Sequence, residues 1–83
     1  MEYTKEQITE VVKEAIIDTV GPDFNAESHK SMKNDLGMDS LDIMDMTIKI
    51  ETSLGIALNG DVVNKLDTVG ELEQYIFEIS NGD

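Results

Sequence analysis

Residues 35–55 read DLGMDSLDIMDMTIKIETSLG, and this stretch predicts a helix together with both of its ends. Asp39 and Ser40 are residue types that favour a helix start, and they follow a glycine-containing turn. Gly55 comes directly after Leu54, in the position where a left-handed glycine commonly ends a helix. We therefore predict a helix from Asp39–Ser40 to about Leu54.

The apolar residues of this helix fall on two separate faces when successive residues are turned by about 100°. The first face holds Ile43, Met46, Thr47, Ile50 and Leu54, and the second holds Leu41, Met44 and Ile48. A helix that is buried on all sides would give the same pattern. In a chain of 83 residues, however, few neighbours are available to cover both faces. We predict that the second face is partly exposed and binds a partner.

Three further helices are predicted around this one. Helical spacing of apolar residues follows a T-x-x-Q capping box at Thr4 and stops at Gly21. A T-x-x-E box at Thr68 opens a last helix that runs to about Ser80. Between them, a helix of one or two turns is predicted over Val62, Val63 and Leu66.

A long loop is predicted between the first two helices, because residues 22–37 show no sustained period. Its apolar residues Phe24, Met32 and Leu36 are expected to hold it against the rest of the molecule. The predicted fold is all-α: a single domain, residues 1–83, built as a small four-helix bundle of three main helices and one short one.

The charge of the chain narrows the class of partner. Eighteen acids against six bases give a net charge of −12, which argues against binding to nucleic acid or an anionic membrane. Residues 35–83 alone carry eleven acids and two bases. We therefore expect partners with basic docking patches to be steered to this half of the chain.

The sequence also argues against several chemistries and locations. It contains no cysteine and a single histidine, so neither a disulfide framework nor a metal site is expected. The first ten residues, MEYTKEQITE, lack the basic and apolar regions of a signal peptide, and no apolar run is long enough to span a bilayer. We expect a cytoplasmic monomer.

Ser40 is the residue of the opening stretch with the most possible roles. It is poorly placed as a nucleophile, because the only histidine, His29, lies in the long loop and no G-x-S-x-G elbow is present. A cap is possible, although Asp39 can serve as well. Ser40 is also suited to attachment, since a phosphate ester at a helix N-terminus meets free N–H groups and the helix dipole.

Residues 35–42, DLGMDSLD, resemble the D-L-G-x-D-S-L-[DE] signature of acyl carrier proteins, and the likeness covers about residues 5 to 79. It implies that Ser40, flanked by Asp39 and Leu41, receives 4′-phosphopantetheine from coenzyme A. The chain would then be a carrier and not an enzyme, holding acyl groups as thioesters on the thiol of that arm. Its partners would be a phosphopantetheinyl transferase and the acyl-handling synthases, transferases or ligases of fatty acid or related lipid synthesis.

The resemblance also implies two sets of binding residues. The partner-recognition surface would consist of Leu41, Asp42, Met44, Asp45, Ile48 and Glu51. The acyl pocket would be formed by Ile43, Leu58, Val62 and Leu66.

The chain departs from the usual family pattern where fatty acid synthesis carriers have a run of glutamates. Lys49 interrupts the acidic surface here, and Thr52 and Ser53 follow Glu51. Because surface charges mainly affect encounter and partner choice, this departure indicates a specialised pathway. A polyketide or aminoacyl/peptidyl carrier is the alternative within the class. An unmodified acidic adaptor that binds partners through the same exposed face is the alternative outside it.

Overall fold

The computed structural model describes residues 3–22 and 27–81, and these form four α-helices. They are α1 (Lys5–Val20), α2 (Ser40–Leu54), α3 (Gly60–Lys65) and α4 (Val69–Asn81). No strand is found in these two ranges, where the one β-bridge pairs Ser31 with Thr68. The predicted all-α, four-helix architecture is confirmed. Phe24, which was predicted to hold the long loop against the rest of the molecule, lies outside the described residues.

The helix ends follow the local signals in the sequence. Thr4 and Gln7 form the predicted reciprocal capping box at the start of α1. Gly55 ends α2 with a left-handed φ of 67°, which a residue with a side chain adopts only with strain. At the start of α4, Thr68 Oγ1 accepts a hydrogen bond from the Glu71 amide at 3.1 Å, and Glu71 Oε1 accepts one from the Thr68 amide at 3.2 Å.

The core lies where α2 packs against α1 and α3, and where α1 packs against α4. The predicted inner face of α2 is fully confirmed, since its buried residues are Ile43, Met46, Thr47, Ile50 and Leu54. From α1 the core receives Ile8, Val12, Ala15 and Ile16, and from α4 it receives Val69, Leu72 and Ile76. Hydrophobic burial of these side chains holds α2 at the centre of the bundle.

The long loop is anchored to the turn between α3 and α4. Met32 and Leu36 are buried, as predicted, and Met38 is buried with them. The Ser31 hydroxyl donates to Asp67 Oδ1 at 2.7 Å, and the Met32 amide donates to the Asp67 carbonyl oxygen at 2.8 Å. This anchoring fixes the segment that leads directly into α2.

Candidate functional site at the start of helix α2

The start of α2 is capped by two carboxylates on either side of Ser40. Asp39 Oδ1 accepts a hydrogen bond from the Asp42 amide at 2.9 Å, and Asp42 Oδ2 accepts one from the Asp39 amide at 3.2 Å. Ser40 itself is exposed and occupies the first helical position. Because the carboxylates make the capping bonds, the Ser40 hydroxyl is left for another role.

The second apolar face of α2 is exposed to solvent beside Ser40. Leu41 is 73% exposed, Met44 57% and Ile48 53%. Among the nearby charges, Lys49 Nζ lies 3.4 Å from Asp45 Oδ2 and 3.3 Å from Thr19 Oγ1. Large exposed apolar side chains that adjoin one another are typical of a binding surface.

A groove of about 320 Å³ runs between α2 and α3 from Ser40. It is lined by Ser40, Ile43, Met44, Thr47, Ile48, Glu51, Leu58, Gly60, Asp61 and Asn64. Of the four residues predicted for an acyl pocket, Ile43 and Leu58 line this groove. Val62, which is 37% exposed, and Leu66, which packs against the core, are not among the lining residues.

Glu51 has a structural contact in addition to its predicted place on the partner surface. Its Oε2 accepts a hydrogen bond from the Leu58 amide at 2.8 Å, across the turn that joins α2 to α3. This bond fixes the connecting segment against the end of α2 and so helps define one end of the groove. Sequence reasoning missed the contact because no local pattern links a helical glutamate to an amide seven residues away.

Two of the residues that line the groove have buried polar side-chain atoms. Thr47 is buried, and its hydroxyl donates to the Ile43 carbonyl oxygen at 2.7 Å. Asn64 Oδ1 is also buried, and it has no hydrogen-bond partner in the part of the chain that the structure describes. Buried polar atoms are normally satisfied, so this unpaired acceptor can still take a hydrogen bond from a further donor. Sequence reasoning did not identify Asn64, because its burial depends on how α3 is turned.

Neither a catalytic histidine nor a metal site adjoins Ser40 in the described ranges. His29 Nε2 lies 3.8 Å from Glu27 Oε1, and it does not line the groove. Within residues 3–22 and 27–81, no three His, Asp or Glu side chains are grouped so as to hold a metal ion. None of the helices in those ranges is both long enough and apolar enough to cross a membrane.

Ser40 is absent from the lining of two further hollows on the described surface. One of about 260 Å³ lies between α1 and α4, where Lys5 and Phe77 are among the lining residues. The other, about 400 Å³, lies between α1 and the end of α2, next to Tyr3 and Leu54. The groove between α2 and α3 is therefore the hollow that continues from the exposed serine.

Comparison with known proteins gives a consistent result. Residues 8–76 match the family described as "Phosphopantetheine attachment site". An acyl carrier protein of Exiguobacterium sp. strain AT1b is 40% identical over 74 residues, which are 88% of this chain and 94% of the relative. An acyl carrier protein of Petrotoga mobilis is 32% identical over 81 residues, 96% of this chain and 95% of the relative.

A solved structure shows that the likeness extends to three dimensions. The solution structure of the 3,7-dioxo-octyl actinorhodin acyl carrier protein from Streptomyces coelicolor matches with a TM-score of 0.65 and 26% sequence identity. The match covers 92% of this chain and 88% of that one. The chain therefore belongs to the acyl carrier protein family, whose members are carriers with a covalently attached 4′-phosphopantetheine.

Proposed function

We propose that the chain is a single carrier domain, residues 1–83, in which Ser40 is the attachment point of 4′-phosphopantetheine. The observation that carries the proposal is the exposed Ser40 hydroxyl at one end of the groove between α2 and α3. Asp39 and Asp42 cap the helix without it. A modification of Ser40 would therefore leave the capping bonds of α2 in place.

The residues around Ser40 fit a phosphate-linked arm. The N-terminus of a helix favours an anion, while the neighbouring carboxylates of Asp39 and Asp42 oppose close contact with the phosphate. The chain has no cysteine, and the bound arm supplies the thiol on which acyl groups are carried as thioesters. Ile43, Met44 and Leu58 give the groove apolar walls for an acyl chain.

The exposed face of α2 supports a docking role. Leu41, Met44 and Ile48 offer apolar contact, and Asp42 and Asp45 lie on the same helix. This pairing of apolar and acidic residues suits partners with basic patches, namely a phosphopantetheinyl transferase and acyl-handling synthases, transferases or ligases. Of the predicted surface residues, Asp42 and Glu51 are partly buried, and we assign Glu51 a smaller part in docking because its carboxylate bonds to the Leu58 amide.

The pathway we propose is fatty acid or related lipid synthesis. The bacterial relatives support it through their name, acyl carrier protein. A polyketide carrier is the second candidate, and a specific observation favours it: the matching structure from Streptomyces coelicolor carries a 3,7-dioxo-octyl group. Lys49 lies beside Asp45 and reduces the negative charge of the exposed face of α2, which favours a dedicated set of partners.

The test is intact mass after incubation of the purified protein with coenzyme A and a broad-specificity phosphopantetheinyl transferase. We expect a gain of one phosphopantetheine on the wild type and none on Ser40→Ala. Ser53→Ala is the matched control, because Ser53 is an exposed serine on the same helix, and it should be modified like the wild type. A gain of mass that persists in Ser40→Ala would show that another residue is the attachment point. No gain on folded wild type would favour an unmodified adaptor.

A further inference from the structure

Of the polar side chains that line the groove, those of Thr47, Glu51 and Asp61 offer acceptors, while Ser40 and the Asn64 amide nitrogen can also donate. Thr47 uses its hydroxyl proton on the Ile43 carbonyl oxygen, so its oxygen can only accept a further bond. Glu51 and Asp61, which also line the groove, carry carboxylates that are acceptors when ionised. A group that enters this groove therefore meets acceptors on several sides.

Asn64 adds an acceptor that lacks a partner. Its Oδ1 is buried, and no donor reaches it among residues 3–22 and 27–81. The backbone of the same residue is occupied, since the Asn64 carbonyl oxygen accepts a hydrogen bond from Lys33 Nζ at 2.7 Å. The oxygen has almost no accessible surface, so water does not satisfy it, and a donor reaches it only when an entering chain displaces the groups that cover it. A buried acceptor with no partner is unfavourable, so the bond stabilises the fold once it forms.

We propose that Asn64 is a specificity-determining residue, whose Oδ1 accepts a hydrogen bond from an N–H or O–H group that enters the groove between α2 and α3. This inference rests on the proposed attachment at Ser40, which brings such groups to the groove. The donor has two possible sources of the same chemistry: an amide N–H of the arm, or a hydroxyl on the acyl chain. In the second case the groove prefers a hydroxyacyl chain to an unsubstituted acyl chain of equal length.

The preference follows from two costs, that of burying a hydroxyl without a partner and that of leaving Asn64 Oδ1 unpaired. Without a partner, a hydroxyl that leaves water for apolar walls is disfavoured, and the chain is better held outside the groove. When the hydroxyl donates to Asn64 Oδ1, one hydrogen bond pairs both groups and removes both costs. One residue can thus reverse the order in which two chains are sequestered.

The experiment compares melting temperatures of four forms of the protein: apo, holo, hexanoyl and 3-hydroxyhexanoyl. Each form is prepared on the wild type and on Asn64→Leu, which keeps the branched shape and the number of side-chain heavy atoms, although it is bulkier, and has no acceptor. Intact mass is checked first, so that failed loading of Ser40, which refutes the proposed function, is separated from failure of this inference. The melting temperature then reports stabilisation of the fold and needs no partner enzyme.

If the cargo supplies the donor, the hydroxyhexanoyl wild type should melt about 4–8 °C above the hexanoyl form, the shift expected for one net hydrogen bond in a domain of this length. In Asn64→Leu that difference should vanish or reverse. If the arm supplies the donor, a gain of that size should appear between apo and holo wild type and be absent in Asn64→Leu. Gains that are equal in wild type and Asn64→Leu would overturn the proposal.

Two further variants separate the acceptor from other effects of the substitution. Asn64→Asp keeps a side-chain oxygen at the position and should retain at least part of the gain. Asn34→Leu makes the same chemical change at an exposed loop position outside the groove, and it should behave like the wild type. Loss of the gain in Asn34→Leu would attribute it to a general effect of removing an asparagine, and would refute the role of Asn64.

Discussion

Glu51 Oε2 and the Leu58 amide are joined by a 2.8 Å hydrogen bond that links the end of α2 to the segment before α3. The same segment is held from the other side, because the Asn59 amide donates to the Tyr75 hydroxyl of α4 at 3.1 Å. These two bonds fix the approach to a helix of only six residues. The position of α3, and with it the width of the groove, depends on them.

We predict that Glu51→Ala destabilises the protein by about 1–2 kcal/mol, since the Leu58 amide loses a charged acceptor and Glu51 is partly buried. Urea unfolding followed by circular dichroism measures the change. Glu51→Gln should recover part of the loss, because its side-chain oxygen can also accept. Thr52→Ala, at the next and exposed position, should have little effect. An Ala variant as stable as the wild type would show that the bond does not hold the segment.

The cap of α2 gives a second prediction. Asp39→Ala should lower stability by about 1 kcal/mol, because the amide of Asp42 loses its acceptor. Asp39→Ser should restore most of this stability, since a serine oxygen caps a helix without the charge. The measurement is again urea unfolding, with Asp45→Ala as a control at an exposed acidic position in the same helix. If Asp39→Ser were as unstable as Asp39→Ala, charge and not capping would be the cause.

Local signals were enough to predict most of the fold. Asp39 and Gly55 mark the ends of α2, and its two apolar faces separate the buried Ile50 from the exposed Leu41, because helical spacing alone orients a helix of four turns. The six residues of α3 are too few to orient it in this way. Val63 therefore turned out to be buried, while Val62, predicted for the acyl pocket, is partly exposed.

The interior of the groove depends on contacts between elements, and the sequence does not reveal it for that reason. Asn64 becomes a buried acceptor only because α3 packs against α2. Ser40, by contrast, was identified from the signature around it, since the first turn of a helix is defined by residues close in the chain. Its chemical role remains a proposal that the mass measurement tests.

The long loop gives a third prediction. Ser31→Ala should destabilise the fold by about 1–2 kcal/mol, because the buried Ser31 hydroxyl donates to Asp67 and accepts from the Asn34 amide. Ser53→Ala, at an exposed position, is the matched control. Hydrogen exchange should show faster exchange at the Met32 amide, which bonds to the Asp67 carbonyl oxygen. Unchanged exchange there would mean that the backbone bonds hold the loop without Ser31.

The exposed face of α2 gives a fourth prediction, which tests docking. Leu41→Ala should lower the kcat/KM for modification of the protein by a phosphopantetheinyl transferase by about tenfold, since burying a leucine against a partner is worth about 1.5–3 kcal/mol. The melting temperature should hardly change, because Leu41 is 73% exposed. Ile17→Ala removes a 38% exposed apolar side chain from α1 instead and should leave the rate unchanged. Equal losses of kcat/KM in both variants would show that the exposed face of α2 has no special role in docking.

Repulsion among the carboxylates of α1 gives a fifth prediction. Glu6, Glu10, Glu14 and Asp18 are spaced four residues apart, so carboxylates follow one another along one side of the helix. Like charges at this spacing repel by about 0.2–0.5 kcal/mol per pair, and the net charge of −12 adds to the repulsion. Glu14→Gln removes two such pairs at once. It should raise the melting temperature in 10 mM salt by a few degrees, since about 1 kcal/mol corresponds to 4–8 °C in a domain of this size.

The dependence on salt identifies the cause of that gain. Added sodium chloride should stabilise the wild type by screening, and the advantage of Glu14→Gln should shrink toward zero near 0.5 M, where the Debye length is only about 4 Å. Lys13→Gln, the matched control at the neighbouring exposed position, removes a positive charge and should lower the melting temperature in 10 mM salt. An advantage of Glu14→Gln that persisted unchanged at high salt would trace it to helix propensity, and charge repulsion along α1 would then not limit the stability of the fold.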